Sequence, residues 1–227
     1  MKKLLILTLA FCTISTTLQA AEKNKGEFSN LVVFLRFADE GDTIFKKPIS
    51  HYEKMFNDST EDANSVYNYF KEASYNQLFW SSIFYPAADS EGKIISYQAR
   101  NPRGYYEKHS SINPDGYVDD ALGANKLLRE QNLVKELSDY HDPIVPADAV
   151  IDADGNGVID NICIIVSGRS AIGNSRLLWP HRSTLYTQEG SIQGKKVNEY
   201  IMLFDDANGY GSMVTPLEIN TGVLCHE

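Results

Sequence analysis

One largely apolar run, VIDNICIIVSG at Val158–Gly168, constrains the fold of this chain more than any other stretch. The run is continuous and ends in a glycine, which is typical of a central strand whose two faces are both buried. Covering both faces requires a layer of structure on each side of the sheet. The run therefore predicts a layered α/β domain.

Further segments carry the patterns of regular secondary structure. Strands are predicted at Asn30–Phe37, at QLFWSSIFY (77–85) and at KKVNEYIMLF (195–204). Helices are predicted from Ser50, from Ser65, over Asp119–Ser138 and from Pro216 onward, the last one capped by Thr215 with Glu218 in its first turn. The apolar side of the Asp119–Ser138 helix would consist of Leu122, Leu127, Leu128, Leu133 and Leu137. Together these segments predict a mixed twisted sheet with packed helices.

Residues 1–20 have the organisation of a secretory signal peptide. Lys2 and Lys3 precede an apolar run, Leu4–Ile14, that is too short to span a bilayer, and cleavage is expected after Ala20. Residues 21–29 would then be a short polar leader. Removing residues 1–20 takes away two of the 21 basic and none of the 30 acidic residues, which leaves a net charge of −11. We therefore expect an exported protein that binds neither nucleic acid nor membranes.

Two cysteines remain after the signal peptide, Cys163 and Cys225. Export permits a disulfide between them. Two cysteines nevertheless define no disulfide framework, and both lie in apolar stretches, NICIIV and GVLC. We therefore expect two small buried hydrophobic side chains rather than a bridge.

The segment DADGNGVIDN (152–161) carries oxygen ligands at the spacing of a calcium-binding loop. The candidate ligands are the side chains of Asp152, Asp154, Asn156 and Asp160 and the backbone carbonyl of Val158. The position of the bidentate glutamate of an EF-hand is Cys163, so the site would be weak or completed by distant ligands. An Asx-rich turn that leads into the strand is the alternative interpretation.

The sequence ends in His226 and Glu227, on the last predicted helix. In the zinc motif H-E-x-x-H, two histidines bind the metal, and the glutamate takes a proton from the metal-bound water. The dipeptide matches the first half of this motif, although a chance pairing is the alternative. None of the other histidines lies at ligand spacing from a second histidine.

Four stretches, taken in order, resemble secreted metalloproteases of the immune-inhibitor-A type. They are SVYNYFKEASYNQLFW, DADGNGVIDNICIIVSG, LLWPHR and GVLCHE. The resemblance runs from about Asn30 to the end of the sequence. It implies that residues 30–227 belong to a metzincin-like zincin catalytic domain, incomplete at its C-terminus. It also implies a zinc endopeptidase that acts on protein or peptide substrates, with His226 as the first zinc ligand and Glu227 as the general base.

The resemblance further implies that the acidic loop holds a structural calcium ion. His181 would lie in the Trp-Pro-His turn, close to the zinc site without binding the metal. The second zinc histidine is absent from the 227 residues, and GRSAIGNSRLL (168–178) lacks the acidic, paired-glycine character of the family. We therefore expect a truncated catalytic domain that is not a competent peptidase by itself. The alternative is a calcium-dependent secreted binding module or a degenerate pseudoprotease, which the acidic loop suits equally well.

Overall fold

The computed structural model describes residues 25–170, 177–206 and 219–226. The predicted signal peptide, the predicted cap at Thr215 with Pro216 and Glu218, and the terminal Glu227 lie outside these residues. The described part is a mixed α/β domain with a mostly parallel central sheet and several helices. The predicted α/β class is therefore confirmed.

The main sheet has six strands, and a separate two-stranded hairpin accompanies it. The strands are β1 (Gly26–Arg36), β2 (Leu78–Phe84), β3 (Tyr97–Gln98), β4 (Ile162–Arg169), β5 (His181–Thr184), β6 (Ser191–Ile192), β7 (Lys195–Lys196) and β8 (Glu199–Asp206). The order is β2-β1-β4-β8-β5, and β3 pairs with β1 beyond the end of β2. Strand β5 is antiparallel to β8, whereas the other pairs of this sheet are parallel. Strands β6 and β7 form the hairpin.

The described residues also contain four α-helices and one 3-10 turn. The helices are α1 (Ile49–Asn57), α2 (Val66–Ala73), α3 (Ala124–His141) and α4 (Thr221–His226), and the 3-10 turn is Arg103–Tyr106. Helix α2 begins as predicted, because the Oγ of Ser65 accepts a hydrogen bond from the N–H of Asn68. Within the described residues, no helix combines the length and the apolar character needed to cross a bilayer.

Strand β4 confirms the prediction of a central strand, since it lies between β1 and β8 and is buried over its first six residues. Its side chains alternate between two hydrophobic clusters on opposite sides of the sheet. Ile162, Ile164 and Val166 join one cluster, whereas Cys163 and Ile165 join the other. The sheet is therefore covered on both sides, as the continuous apolar run requires.

We call the first side the α3 face, because Leu133, Val134 and Leu137 of α3 pack there against the sheet. We call the other side the α2–α4 face, because side chains of α1, α2 and α4 cover it. The α3 face is covered by the 18-residue helix α3 together with residues of loops and of the hairpin, such as Tyr117 and Ile192. The α2–α4 face keeps a cavity of about 890 Å³.

Several predicted element boundaries are wrong. Strand β1 begins at Gly26 rather than Asn30, because its pairing with β2 starts there. Helix α1 begins at Ile49 with Pro48 as its N-cap, so Ser50 is not a cap. The predicted strand at 195–204 is divided into β7 and β8. Within the described residues α4 begins at Thr221, whose side-chain hydroxyl donates to the carbonyl of Asn64, and the start predicted at Pro216 lies outside them.

The predicted apolar side of the third helix is also wrong in part. Leu133 and Leu137 are buried, but Leu122 is 91% exposed and Leu128 is 48% exposed. Leu122 precedes the helix, which begins at Ala124 after a turn held by the carboxylate of Asp120. The spacing of leucines therefore indicated the helix but overestimated the width of its buried side.

Candidate metal sites

The acidic loop brings three of the predicted calcium ligands together. Asp152, Asp154 and Asp160 each offer a carboxylate oxygen, and these three oxygens all lie within 4.8 Å of one another. Asp154 is exposed, whereas the other two are half-buried. Carboxylate oxygens at this spacing are ligands that a hard divalent cation can share.

Backbone amides shape the loop around its own carboxylates. Asp152 accepts hydrogen bonds from the N–H groups of Asn156 and Gly157, both at 3.0 Å. Asp154 accepts from the N–H of Asn156 at 3.0 Å. Gly155 and Gly157 have φ angles of 69° and 83°, which glycine adopts without the steric cost that other residues have there. Residues 152–157 therefore turn tightly because of local sequence alone.

Asp160 joins the loop to the sheet. Its Oδ2 accepts hydrogen bonds from the N–H of Ser29 on β1 at 2.9 Å and from the N–H of Ala153 at 3.0 Å. Burial raises the pKa of the Asp160 carboxyl, the two N–H donors lower it, and the nearby charges of Asp154 and Asp152 raise it again. The three carboxylates are therefore crowded, and a bound cation would offset their mutual repulsion.

The two other predicted ligands, Asn156 and Val158, also lie on this loop. The Oδ1 of Asn156 accepts from the N–H of Val158 at 2.8 Å, and its Nδ2 donates to Asp154 at 2.8 Å. Val158 forms an isolated parallel bridge with Lys196 of β7. The side chain of Asn156 thus makes hydrogen bonds within the loop, and Val158 joins the end of the loop to the hairpin.

His226 is the last described residue of α4 and is exposed. It borders a shallow cavity of about 560 Å³ between α2 and α4, together with Asn64, Tyr69 and Cys225. Among the residues that the structure describes, no trio of histidine, cysteine or carboxylate ligands includes His226. The described residues therefore do not make a zinc site, and the predicted base Glu227 lies outside them.

Leu224 lies on the inner side of α4, and the partly buried Cys225 packs against the same cluster. Leu224 is 6% exposed and belongs to the cluster of the α2–α4 face, where it packs with residues such as Val66 of α2. Its N–H donates to the carbonyl of Asn220 at 3.1 Å. The short helix thus buries Leu224 and leaves His226 in solvent.

His181 is the first residue of β5 and lies on the α3 face. Its Nε2 is 3.0 Å from the Oε1 of Glu130 on α3, and its ring packs edge-on against Tyr200 of β8. His226 belongs to α4, which packs on the opposite side of the sheet. The structure therefore does not place His181 next to His226.

Sequence patterns did not indicate the partners of His181. Glu130 is 5% exposed, and its carboxylate also accepts a hydrogen bond from the hydroxyl of Tyr200. Gln131 donates to the same hydroxyl at 3.2 Å and to the carbonyl of Thr184 at 3.0 Å. Glu130 lies 51 positions before His181 and 70 positions before Tyr200, so no local motif contains these contacts. The sequence signal that could have indicated these contacts is the adjacent pair Glu130 and Gln131, two polar residues on a side of α3 that otherwise packs inward.

The two cysteines form no disulfide. Cys163 is buried and Cys225 is half-buried, which agrees with the prediction of two small apolar side chains. Burial raises the pKa of the Cys163 thiol far above its usual range and that of Cys225 to about 11. Both therefore stay protonated at neutral pH.

The large cavity of the α2–α4 face has an aromatic wall and an acidic rim. Trp80 stacks between Phe28, at a centroid distance of 4.3 Å, and Phe70, at 4.5 Å. Asp154 and Asp160 of the acidic loop line the same cavity. The candidate cation loop thus borders the cavity of the α2–α4 face.

Comparisons with protein-family models and with curated proteins give no match to this sequence.

Proposed function

We propose that the chain carries residues of the catalytic domain of a secreted zinc metalloendopeptidase, metzincin-like and of the immune-inhibitor-A type. The observation that carries the proposal is the position of His226, exposed on a helix that follows the last parallel strand of the sheet. The four family-like stretches lie on separate elements in chain order. They supply α2 with β2, the acidic loop with β4, the turn before β5, and α4.

The 227 residues themselves should not act as a peptidase. His226 is the one zinc ligand that the resemblance assigns within them, and a single imidazole does not hold catalytic zinc against water. We expect metal analysis of the purified 227-residue chain to find far less than one zinc per molecule. Stoichiometric zinc on this chain would contradict the expectation.

The reading frame that follows Glu227 tests the family directly. A histidine three residues after Glu227 supports the proposal, whereas a stop codon directly after it favours a binding module or a pseudoprotease. A longer protein encoded by such a frame should cleave casein only with zinc. Glu227→Gln should slow this cleavage by about 10²- to 10⁴-fold, whereas Glu53→Gln, at an exposed site on α1, should not.

A second function, a calcium-dependent secreted binding module, is favoured by the three converging carboxylates of the acidic loop. In either function we propose that Asp152, Asp154 and Asp160 hold a structural calcium ion, with Asn156 and the Val158 carbonyl as further ligands. The loop offers only oxygen atoms, which is the ligand type that calcium prefers. The ion would join the start of β4 to β1 through Asp160.

Calcium should raise the thermal stability of the chain. At a free calcium concentration 100 times the dissociation constant, binding to the folded state alone adds about 2.7 kcal/mol. Asp154→Asn removes one exposed ligand charge and should abolish most of the rise in melting temperature. Asp62→Asn is the matched control, because Asp62 is exposed and its φ of 62° suits asparagine. An unchanged melting temperature in wild-type protein with millimolar calcium would refute the site.

A further inference from the structure

Strand β2 lies at one end of the main sheet among the described strands, so one of its edges has no strand beside it. The sequence over residues 77–86, which contains β2, has no charged side chain. An uncharged and largely apolar edge strand is a template for pairing with another chain, and charges on the strand are one common protection against such pairing. Protection of this edge therefore has to come from outside the strand.

The side chain of Asn57 covers the outer edge of β2 at Ser82. Its Nδ2 donates to the carbonyl of Ser82 at 2.7 Å, and its Oδ1 accepts from the N–H of the same residue at 2.9 Å. The carboxamide thus makes the two bonds that a residue of an adjacent strand would exchange with Ser82. Ser82 is 6% exposed, which agrees with an edge that is shielded from water at this point.

Both partners of this contact are held in place by neighbouring elements. Asn57 is the last residue of α1, and the preceding Phe56 is 1% exposed and packs edge-on against Phe84 of β2 at a centroid distance of 5.6 Å. The hydroxyl of Ser82 accepts a hydrogen bond from the Nδ2 of Asn30 on β1 at 3.0 Å. The end of the helix and the strand therefore meet in a fixed position.

A second side chain covers the start of the same edge. The Oγ of Ser74 accepts a hydrogen bond from the N–H of Leu78 at 2.9 Å. Backbone groups alternate in direction along a strand, so those of Leu78, Trp80 and Ser82 point to the same edge. An incoming strand would therefore meet Trp80 between two positions that already have partners.

We propose that the carboxamide of Asn57 substitutes for a neighbouring strand and keeps the outer edge of β2 from pairing with β2 of a second copy of this chain. Two identical edges meet antiparallel about a twofold axis, so each copy would offer the same residues to the other. Such pairing has to break the bonds between Asn57 and Ser82 first, because both backbone groups of Ser82 are already bonded. The contact thus protects the edge without a charge on the strand.

Sedimentation velocity of the purified chain over a range of concentrations tests the proposal. Asn57→Ala should raise the association constant by about tenfold or more, because it leaves both backbone groups of Ser82 without their partner. Adding Ser81→Lys to that variant should return association to the wild-type level, since Ser81 is exposed and lysines there place like charges on two facing edges. Association that Asn57→Ala does not raise, or that Ser81→Lys does not reduce, would overturn the proposal.

Asn68→Ala is the matched control for a general loss of stability. Asn68 is 5% exposed, and its Nδ2 also donates to backbone carbonyls, those of Thr60 at 2.7 Å and Ala63 at 3.1 Å, in the loop before α2. This variant should be destabilised and should nevertheless associate no more than wild type. Equal association of Asn68→Ala and Asn57→Ala would trace the effect to partial unfolding and refute the role of the edge.

Hydrogen exchange at single amides of β2 gives a readout that needs no variant. In wild type, the amide of Ser82 should exchange about tenfold or more slowly than the amide of Trp80, because the Asn57 side chain bonds the first of these two N–H groups. In dilute Asn57→Ala this difference should disappear, and it should return at high protein concentration as the edges pair. Equal exchange of the two amides in wild type would show that Asn57 does not cover the edge.

Discussion

The two faces of the central sheet are closed to different degrees, although the same strands supply both. On the α3 face, an 18-residue helix packs its leucines against the sheet and adds a buried polar network around Gln131. On the α2–α4 face, helices of nine, eight and six residues leave a cavity of about 890 Å³. The comparison shows that apolar strands specify a buried sheet but not how completely each side is filled.

The largest difference should appear when one leucine is shortened on each face. Leu137→Ala on α3 should lower the free energy of unfolding by about 2–5 kcal/mol, because Leu137 is fully buried in a sealed cluster. Leu224→Ala on α4 should cost less than about 2 kcal/mol, since that residue already borders a cavity. Urea unfolding measures both changes in free energy, provided that the slope of the unfolding free energy against urea concentration is the same as in wild type. Equal costs would mean that the α2–α4 face is as well filled as the α3 face.

A smaller effect should come from the polar network of the α3 face. Gln131→Ala should cost about 1–3 kcal/mol, because the buried Gln131 accepts from the N–H groups of Tyr186 and Thr187 and donates to Thr184. Gln98→Ala is the matched control, because Gln98 is exposed and makes its hydrogen bonds in solvent. Chemical unfolding of both variants should place the control within about 0.5 kcal/mol of wild type. If Gln98→Ala lowered the free energy of unfolding as much as Gln131→Ala, the explanation through the buried hydrogen bonds would be contradicted.

The smallest expected effect is a difference between the rates at which the two cysteines are labelled, and it involves no change in stability. Both cysteines belong to the α2–α4 face. Cys163 is part of strand β4, lies beneath the helices and is 2% exposed, whereas Cys225 is on α4 and is half-buried. Iodoacetamide followed by mass spectrometry should modify Cys225 first. Cys163 should react at the rate of unfolding. Earlier labelling of Cys163 would show that the cavity opens to solvent more readily than its lining indicates.

Features that depend on neighbouring residues were predicted correctly from the sequence. The central strand β4 follows from one apolar run, and the start of α2 follows from the capping residue Ser65. The convergence of Asp152, Asp154 and Asp160 follows from a nine-residue loop with two glycines. In each case the determining contacts lie within a few residues of one another.

Features that depend on distant contacts were not predicted. The exposure of Leu128 follows from how α3 sits on the sheet, which helical spacing does not specify. The hydrogen bond between Thr221, the first residue of α4, and Asn64 joins residues that are 157 positions apart. The Glu130–His181 contact joins a helix to an edge strand 51 residues later. Such contacts require the tertiary arrangement.

Strand β1 has a consequence for the synthesis of this chain. One of its two partners in the centre of the sheet is β4, and Leu31 pairs with Ile162. At about 5–20 residues per second, the ribosome needs on the order of ten seconds to reach β4 after β1 has emerged. Throughout that interval the apolar stretch Leu31–Leu35 has one hydrogen-bonding edge without its native neighbour. An unpaired apolar edge of this kind can pair with a strand of another chain, so β1 is exposed to non-native pairing during that interval.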